Sequence, residues 1–158
     1  MSLLHIVFDQ PCIPPNTGNA IRLSAATGAH LHVAGPLGFN FEDKNLRRAG
    51  LDYHDLAVLS VHENLADVFT SLPHGRVFAF SSHGTTNYAD ISYQRGDILL
   101  FGPEPTGLSE EALHHPRITD IVRIPMLAGR RSLNLANAAA IATFEAWRQF
   151  GFEGAAES

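Results

Sequence analysis

The sequence predicts an α/β fold, a mostly parallel sheet flanked by helices. Three observations carry that prediction. Short β-rich apolar runs alternate with helical stretches along the chain, which is the pattern of βαβ units. Capping residues and helix breakers stand where the alternation needs them. The 158 residues fit one domain and can bury roughly 70% of the surface an unfolded chain exposes.

The elements follow in order. Residues 3–8 read as a buried strand. Residues 16–27 read as a helix, with Asn16 as N-cap and Gly28 at the C′ position. Residues 30–34 form a strand ended by Gly35-Pro36, and residues 43–49 a short helix ended by Gly50. A strand at 57–61 leads to a helix at 64–72, stopped before Pro73. Strands at 77–81 and 98–101 come next, the second opening on Gly102-Pro103. Ser109 caps a short helix whose first turn holds Glu110 and Glu111, where the helix dipole favours anions. A strand at 119–124 precedes the longest helix, 134–150, stopped by Gly151. In parallel sheets ligands sit at the carboxyl ends of strands. The loops after Phe8, Ser81, Phe101 and Ile124 are therefore where chemistry is expected.

Composition narrows the function. The single cysteine, Cys12, excludes a disulfide framework and a Cys-based zinc site. Nine histidines are present but scattered, and no spacing gathers the three or four ligands zinc needs, so no metal is expected. Mean hydropathy is −0.01, and the longest apolar runs are strand-sized, so no membrane span is expected. The N-terminus lacks a basic stretch followed by an apolar one, which points away from secretion and towards the cytoplasm. The net charge of −5 disfavours indiscriminate attraction to phosphate. Ten of the eleven basic residues are arginine, however, the side chain suited to two-pronged contacts with phosphates and carboxylates.

Three loops carry candidate chemistry. Residues 102–108, Gly-Pro-Glu-Pro-Thr-Gly-Leu, join a strand to a capped helix. They are not a P-loop, because no Lys-Ser/Thr follows the second glycine. The chain has no Gly-x-Gly, which argues against ordinary dinucleotide binding and the common Rossmann methyltransferases. Either a tight turn or a ligand loop satisfies the composition. Residues 14–22, Pro-Pro-Asn-Thr-Gly-Asn-Ala-Ile-Arg, place Asn16, Asn19 and Arg22 at three-residue spacing, so they can share a helix face. That suits a phosphate or ribose site as well as a capped helix with a surface arginine. Residues 123–137 carry Arg130, Arg131 and a Ser/Asn-rich helix start, which fits either an anion site or a plain N-cap. In the last helix, Leu133, Ala140, Phe144 and Trp147 form an apolar stripe. It suits core packing, or, because small residues allow close approach, a dimer interface. No Gly-x-Ser-x-Gly elbow supports a hydrolase.

The order of these segments is more specific than any one of them. Asn-Thr-Gly-Asn-x-x-Arg at 16–22, Phe-Gly-Pro-Glu-x-x-Gly-Leu at 101–108, and Arg-Ile-Pro-Met with Arg-Ser-Leu-Asn-Leu-x-Asn at 123–137 resemble the three motifs of the SPOUT superfamily (SpoU/TrmH-like). These are S-adenosylmethionine-dependent RNA methyltransferases with a deep C-terminal trefoil knot. Segments 13–19, 36–39, 46–54 and 145–149 extend the likeness to the small single-domain tRNA wobble-nucleotide ribose 2′-O-methyltransferases, over residues 6 to about 154. One departure stands out: Pro105-Thr106 replaces the family's Thr-Arg, removing a positive charge from the middle loop. Without the resemblance a knot would not be proposed.

The resemblance implies one SPOUT domain over 1–154 and a short tail at 155–158. It implies methyl transfer to the ribose 2′-OH of the wobble nucleotide, position 34, of tRNA, a cytidine or modified uridine. The cofactor would be S-adenosylmethionine, leaving S-adenosylhomocysteine. Phe80, Gly102, Ile124, Met126, Ser132 and Leu133 would hold it. Arg22, Asn16, Glu104, Ser132 and Asn134 would form the catalytic set. The partner would be the tRNA anticodon stem-loop, bound across a homodimer by Lys44, Arg47, Arg48, Arg130 and Arg131. Two other readings remain open, namely methylation of another tRNA or rRNA nucleotide and a non-catalytic RNA-binding module on the same fold.

Overall fold

The fold is described from a computed structural model, over residues 2–39 and 58–157. The expected helix at 43–49 lies outside the described residues.

In chain order the strands are β1 (His5–Asp9), β2 (His30–Ala34), β3 (Leu59–His62), β4 (Val77–Phe80), β5 (Thr86–Asn87), β6 (Ile98–Phe101) and β7 (Ile118–Arg123). The helices are α1 (Pro14–Thr27), α2 (Leu65–Ser71), α3 (Glu110–Leu113) and α4 (Leu135–Gln149). Seven strands make one sheet in the order β3-β2-β1-β6-β4-β7-β5. Every pairing among the described residues is parallel. The centre brings distant segments together: β1 lies between β2 and β6, with His5 opposite both His30 and Ile98.

Side-chain alternation splits the core into two layers. Ile6, Phe8, Leu31, Val33, Phe78, Leu99 and Phe101 face α1 and α4. Val7, Ala34, Val77, Ala79, Ile98 and Leu100 face α2 and α3. Phe8 and Phe78 are sealed from water, each burial stabilising the fold by about 1.5–3 kcal/mol.

β2 and β6 match the sequence expectation at both ends, and most other elements lie within two residues of it. Gly28 closes α1 at φ 83°, the left-handed position only glycine adopts without strain. Ser109 and Asn64 cap their helices through side-chain oxygens.

Two expectations are corrected. Asn16 does not cap α1. The helix starts two residues earlier, at Pro14-Pro15, behind Ile13. Proline supplies the helical φ and lacks an N–H that would go unpaired there, which leaves the Asn16 side chain free for another partner. The stripe Leu133, Ala140, Phe144 and Trp147 is not the buried face of α4. That face is Leu135, Ala136, Ala139, Ala142, Thr143 and Ala146. It packs against the core and α1, where small residues allow the two helices to come close. Ile141 and Phe144 point outward, 38% and 44% exposed. The two-residue strand β5 was not anticipated, since two residues carry no periodicity.

Candidate active site

The loops at the carboxyl ends of the strands are tied to one another by a short polar chain. Glu104, just beyond β6, accepts hydrogen bonds from the backbone N–H of Cys12 (2.7 Å) and of Ile13 (2.9 Å). Its Oε2 also accepts from Asn16 Nδ2 at 3.1 Å. Asn16 Oδ1 in turn accepts from Asn134 Nδ2 at 3.0 Å. Asn134 uses its own Oδ1 to accept from the N–H of Asn137, capping α4. Three segments thus meet in one chain of hydrogen bonds, whose side-chain links span 88 and 118 residues.

This geometry fixes the electrostatics of Glu104. Burial alone would raise its carboxyl. The donors from Cys12, Asn16 and Ile13 outweigh that and hold it below the ordinary carboxylate range. A carboxylate so engaged is an anchor, not a proton acceptor. It also sets the orientation of both amides, because each Asn nitrogen has an acceptor ahead of it and the Asn134 oxygen has a donor behind.

Glycines bring the loops close. A Cβ on Gly102 would stand 2.2 Å from the Leu108 backbone nitrogen. The sequence offered Gly102 as a place where a ligand approaches the backbone. The structure gives a nearer reason: the loop folds back on itself, with Gly107 at φ 69° and its N–H bonded to the Pro103 carbonyl at 2.7 Å. Gly84 does the same for the loop after β4, since a Cβ there would meet the Val122 backbone at 2.6 Å. Gly84 was missed, and a lone glycine in a loop carries no signal that could have found it.

Of the other candidate residues, Phe80 ends β4 and stacks on Phe101, centroids 4.6 Å apart at 18°. Ile124 is half-buried, whereas the segment after it is open. Met126 is 40%, Leu127 77% and Leu133 39% exposed. Ser132, Arg130 and Arg131 are exposed in the same segment, and Arg22 is exposed on α1. Lys44, Arg47 and Arg48 lie outside the described residues. The donor and lining set fits S-adenosylmethionine. The aromatic Phe80, the aliphatic Ile124, the exposed apolar Met126 and Leu133 and strand-end backbone groups have the chemistry that suits an adenine ring and a methionine chain. Among the described residues no cluster of His, Cys, Asp or Glu could hold a metal ion. None of the described helices is long and apolar enough to cross a membrane.

One further group was not singled out by sequence. Asp9 ends β1 and is buried, which pushes its carboxyl up to about 6 against the opposing hydrogen bond of Gln10. A lone Asp at a strand end has no motif around it to mark it.

Known proteins resemble this chain over most of its length. The model of the SpoU rRNA methylase family matches residues 3–144. A tRNA (cytidine(34)-2′-O)-methyltransferase of Methylovorus glucosotrophus is 50% identical over 153 residues, covering 97% of this chain and 99% of that protein. A solved structure from a study of 2′-OH methylation of C/U34 on tRNA superposes with TM-score 0.85 at 46% identity, over 94% of this chain and 96% of the other. The SpoU methyltransferase AviRb of Streptomyces viridochromogenes, in complex with AdoMet, gives TM-score 0.80 at 30% identity, over 94% of this chain and 61% of that one.

Proposed function

Because this chain belongs to the SpoU rRNA methylase family, we propose that it methylates the ribose 2′-OH of nucleotide 34 in tRNA. It is a methyltransferase, and its methyl donor is S-adenosylmethionine. The observation that carries the reading is the Glu104–Asn16–Asn134 chain. It draws together the three segments that hold the family motifs and leaves two oriented amides at their junction.

The cofactor, when bound, supplies an electrophilic methyl on a sulfonium, and it leaves as S-adenosylhomocysteine. This chain's residues must hold the ribose in line with that methyl and manage the proton the 2′-OH loses. Arg22 brings a guanidinium group to the exposed face of α1. Its role is to orient the neighbouring phosphate and stabilise the developing alkoxide. Asn16 and Asn134 present polar groups whose direction Glu104 sets, and Ser132 completes the shell. Phe80, Gly102, Ile124, Met126, Ser132 and Leu133 hold the cofactor.

The substrate is a tRNA anticodon stem-loop. Arg130 and Arg131 contact its backbone together with Lys44, Arg47 and Arg48. The protein acts as a homodimer through the outward face of α4, a reading supported by the exposed Ile141 and Phe144. One domain over 1–154 with a C-terminal trefoil knot belongs to the same reading, supported by family membership. So does action in the cytoplasm, where tRNA is found.

The test is transfer of labelled methyl from S-adenosylmethionine to undermodified tRNA, with mapping of the product. Label at the ribose of nucleotide 34 is expected. Label elsewhere would reassign the target, and none at all would leave only RNA binding. In the same assay Arg22→Ala is expected to lower turnover about 10²–10³-fold while cofactor affinity is kept. Near-normal turnover would remove Arg22 from the mechanism.

A further inference from the structure

Four histidines line one face of β1, β2 and β3. His5 Nδ1 lies 3.0 Å from His32 Nε2, and His32 Nδ1 lies 3.0 Å from His62 Nε2. His30 sits beside them, its ring centroid 4.7 Å from that of His32, and its Nε2 is 2.7 Å from Ser60 Oγ. The sheet's register makes this row. His5 is opposite His30, His32 is opposite Ser60, and His62 is opposite Ala34. His32, in the middle, is only 5% exposed.

The row is not a metal centre. His32 sends its two nitrogens in opposite directions, so no three ring nitrogens converge. It is a hydrogen-bonded string, and its chemistry is that of protons. Each neutral imidazole offers one donor and one acceptor, which lets the string run from β3 through β2 to β1. One added proton must sit in a buried place. A second puts two cations within about 5 Å, as the ring spacings of 5.1 and 5.3 Å show.

We propose that this histidine row is a proton-sensitive seam, which holds β1, β2 and β3 together while its imidazoles are neutral and unpairs β3 from β2 when acid charges them.

The surroundings offer the charged row no relief. The described side chains of α2 that pack here are apolar, namely Leu65, Val68 and Phe69. Asp67 of α2 and Glu63 are exposed. Asp97 lends only its backbone carbonyl to the His5 N–H. Its carboxylate is taken by Arg76 at 2.9 and 2.7 Å and by the N–H of Gln94. Asp9 lies on the same face of β1, four residues on. Burial, and then the neighbouring histidines, push His5 down to about 4 and His32 down to about 3, and they lower His30 as well. No described carboxylate opposes this.

The sign follows from linkage. A histidine whose pKa is depressed by folding takes its proton first in the unfolded chain. The fold is therefore undisturbed above about pH 6.5 and loses stability as pH falls from there towards 4. Asp9, raised by folding, works in the opposite direction over part of the same range. A comparison with a variant that keeps Asp9 cancels that contribution.

The experiment is urea unfolding of the full chain at pH 6 and pH 5, beside the double variant His5→Asn/His32→Leu. From pH 6 to pH 5 the unfolding equilibrium constant is expected to rise roughly fiftyfold more in the wild type than in the variant, since nearly two extra protons are bound on unfolding. Parallel profiles would overturn the proposal. Should the variant not fold, imidazole nitrogen NMR of the wild type decides. His5 and His32 are expected to stay neutral below pH 5, and midpoints at or above 6 would overturn it. Hydrogen exchange at pH 5 tests the location: protection lost first at Val33 and His62 supports the seam, and equal loss at Leu99 and Leu100 contradicts it.

Discussion

Two regions of this sheet hold polar groups out of water by opposite means. At the loop end of β6, Glu104 is kept charged because three N–H donors converge on it. On the outer flank, His5 and His32 are kept neutral by burial first and then by neighbouring histidines that bring no opposite charge. The physics is the same in both places. Desolvation disfavours charge, and the partners decide whether that preference wins. Donors convert a half-buried carboxylate into an anchor, while like partners turn buried imidazoles into a string that works only without charge. The first region is robust to modest changes of pH near neutrality, and the second is not.

The sharpest way to break the comparison is to lift Glu104 away from its donors without touching it. Gly102→Ala would do so, because its Cβ would press on the Leu108 backbone at 2.2 Å and the loop would have to move. A loss of about 3 kcal/mol or more is expected in urea unfolding, together with near-complete loss of methyl transfer. An unchanged unfolding midpoint would mean that the loop is not held as tightly as its geometry implies.

Glu104→Gln is a milder intervention. It keeps one acceptor oxygen but turns an amide NH₂ towards donors from Cys12, Ile13 or Asn16. Turnover is expected to fall about 10²-fold with cofactor affinity little changed, read as a kcat effect. The pH dependence follows from the depressed carboxyl. Its contribution to stability is present above the ordinary value of 4.5 and is lost as pH falls through the lower folded value. The stability gap between wild type and Glu104→Gln should therefore close below about pH 4.5. A gap that persists unchanged at pH 3 would show that Glu104 is not held as a carboxylate.

Asp9→Asn gives the smallest effect and sharpens the other side. The Asp9 carboxyl is raised to about 6, so its neutral form is the one the fold favours. Wild type holds that contribution at low pH and loses it as pH rises through 6. The variant is expected to be more stable than wild type at pH 8, by about 1–2 kcal/mol, with the gain vanishing near pH 4. A gain that does not change with pH would assign the effect to packing rather than to charge.

Much of the fold was legible because its signals are local. Gly28 ends α1, Ser109 begins α3, and the run Ile98 to Phe101 is wholly apolar. Each of these acts on neighbours a few residues away. The members of the hydrogen-bonded chain, Asn16, Glu104 and Asn134, all stood in segments that sequence reading singled out. Their contacts were not legible. Asn16 read as a cap because Asn before an apolar periodic stretch normally is one, and only Pro14-Pro15 and the distant Glu104 displaced it. The buried face of α4 was not read because a run of alanines gives periodicity little contrast, so the large residues at 144 and 147 dominated the pattern.

What the sequence determined by itself was the alternation of strands and helices, the ends of most of them, and the identity of the motif residues. These depend on hydrophobic period, caps and turn chemistry within a few positions. The tertiary structure alone decided which polar groups became partners. Glu104 meets Asn16 across 88 residues and Asn134 meets Asn16 across 118. The scattered histidines become a row only because parallel pairing sets β1, β2 and β3 side by side in one register. Strand order and register arise from packing the whole chain at once. For that reason, whether a buried group is kept charged or neutral could not be read from the residues around it in sequence.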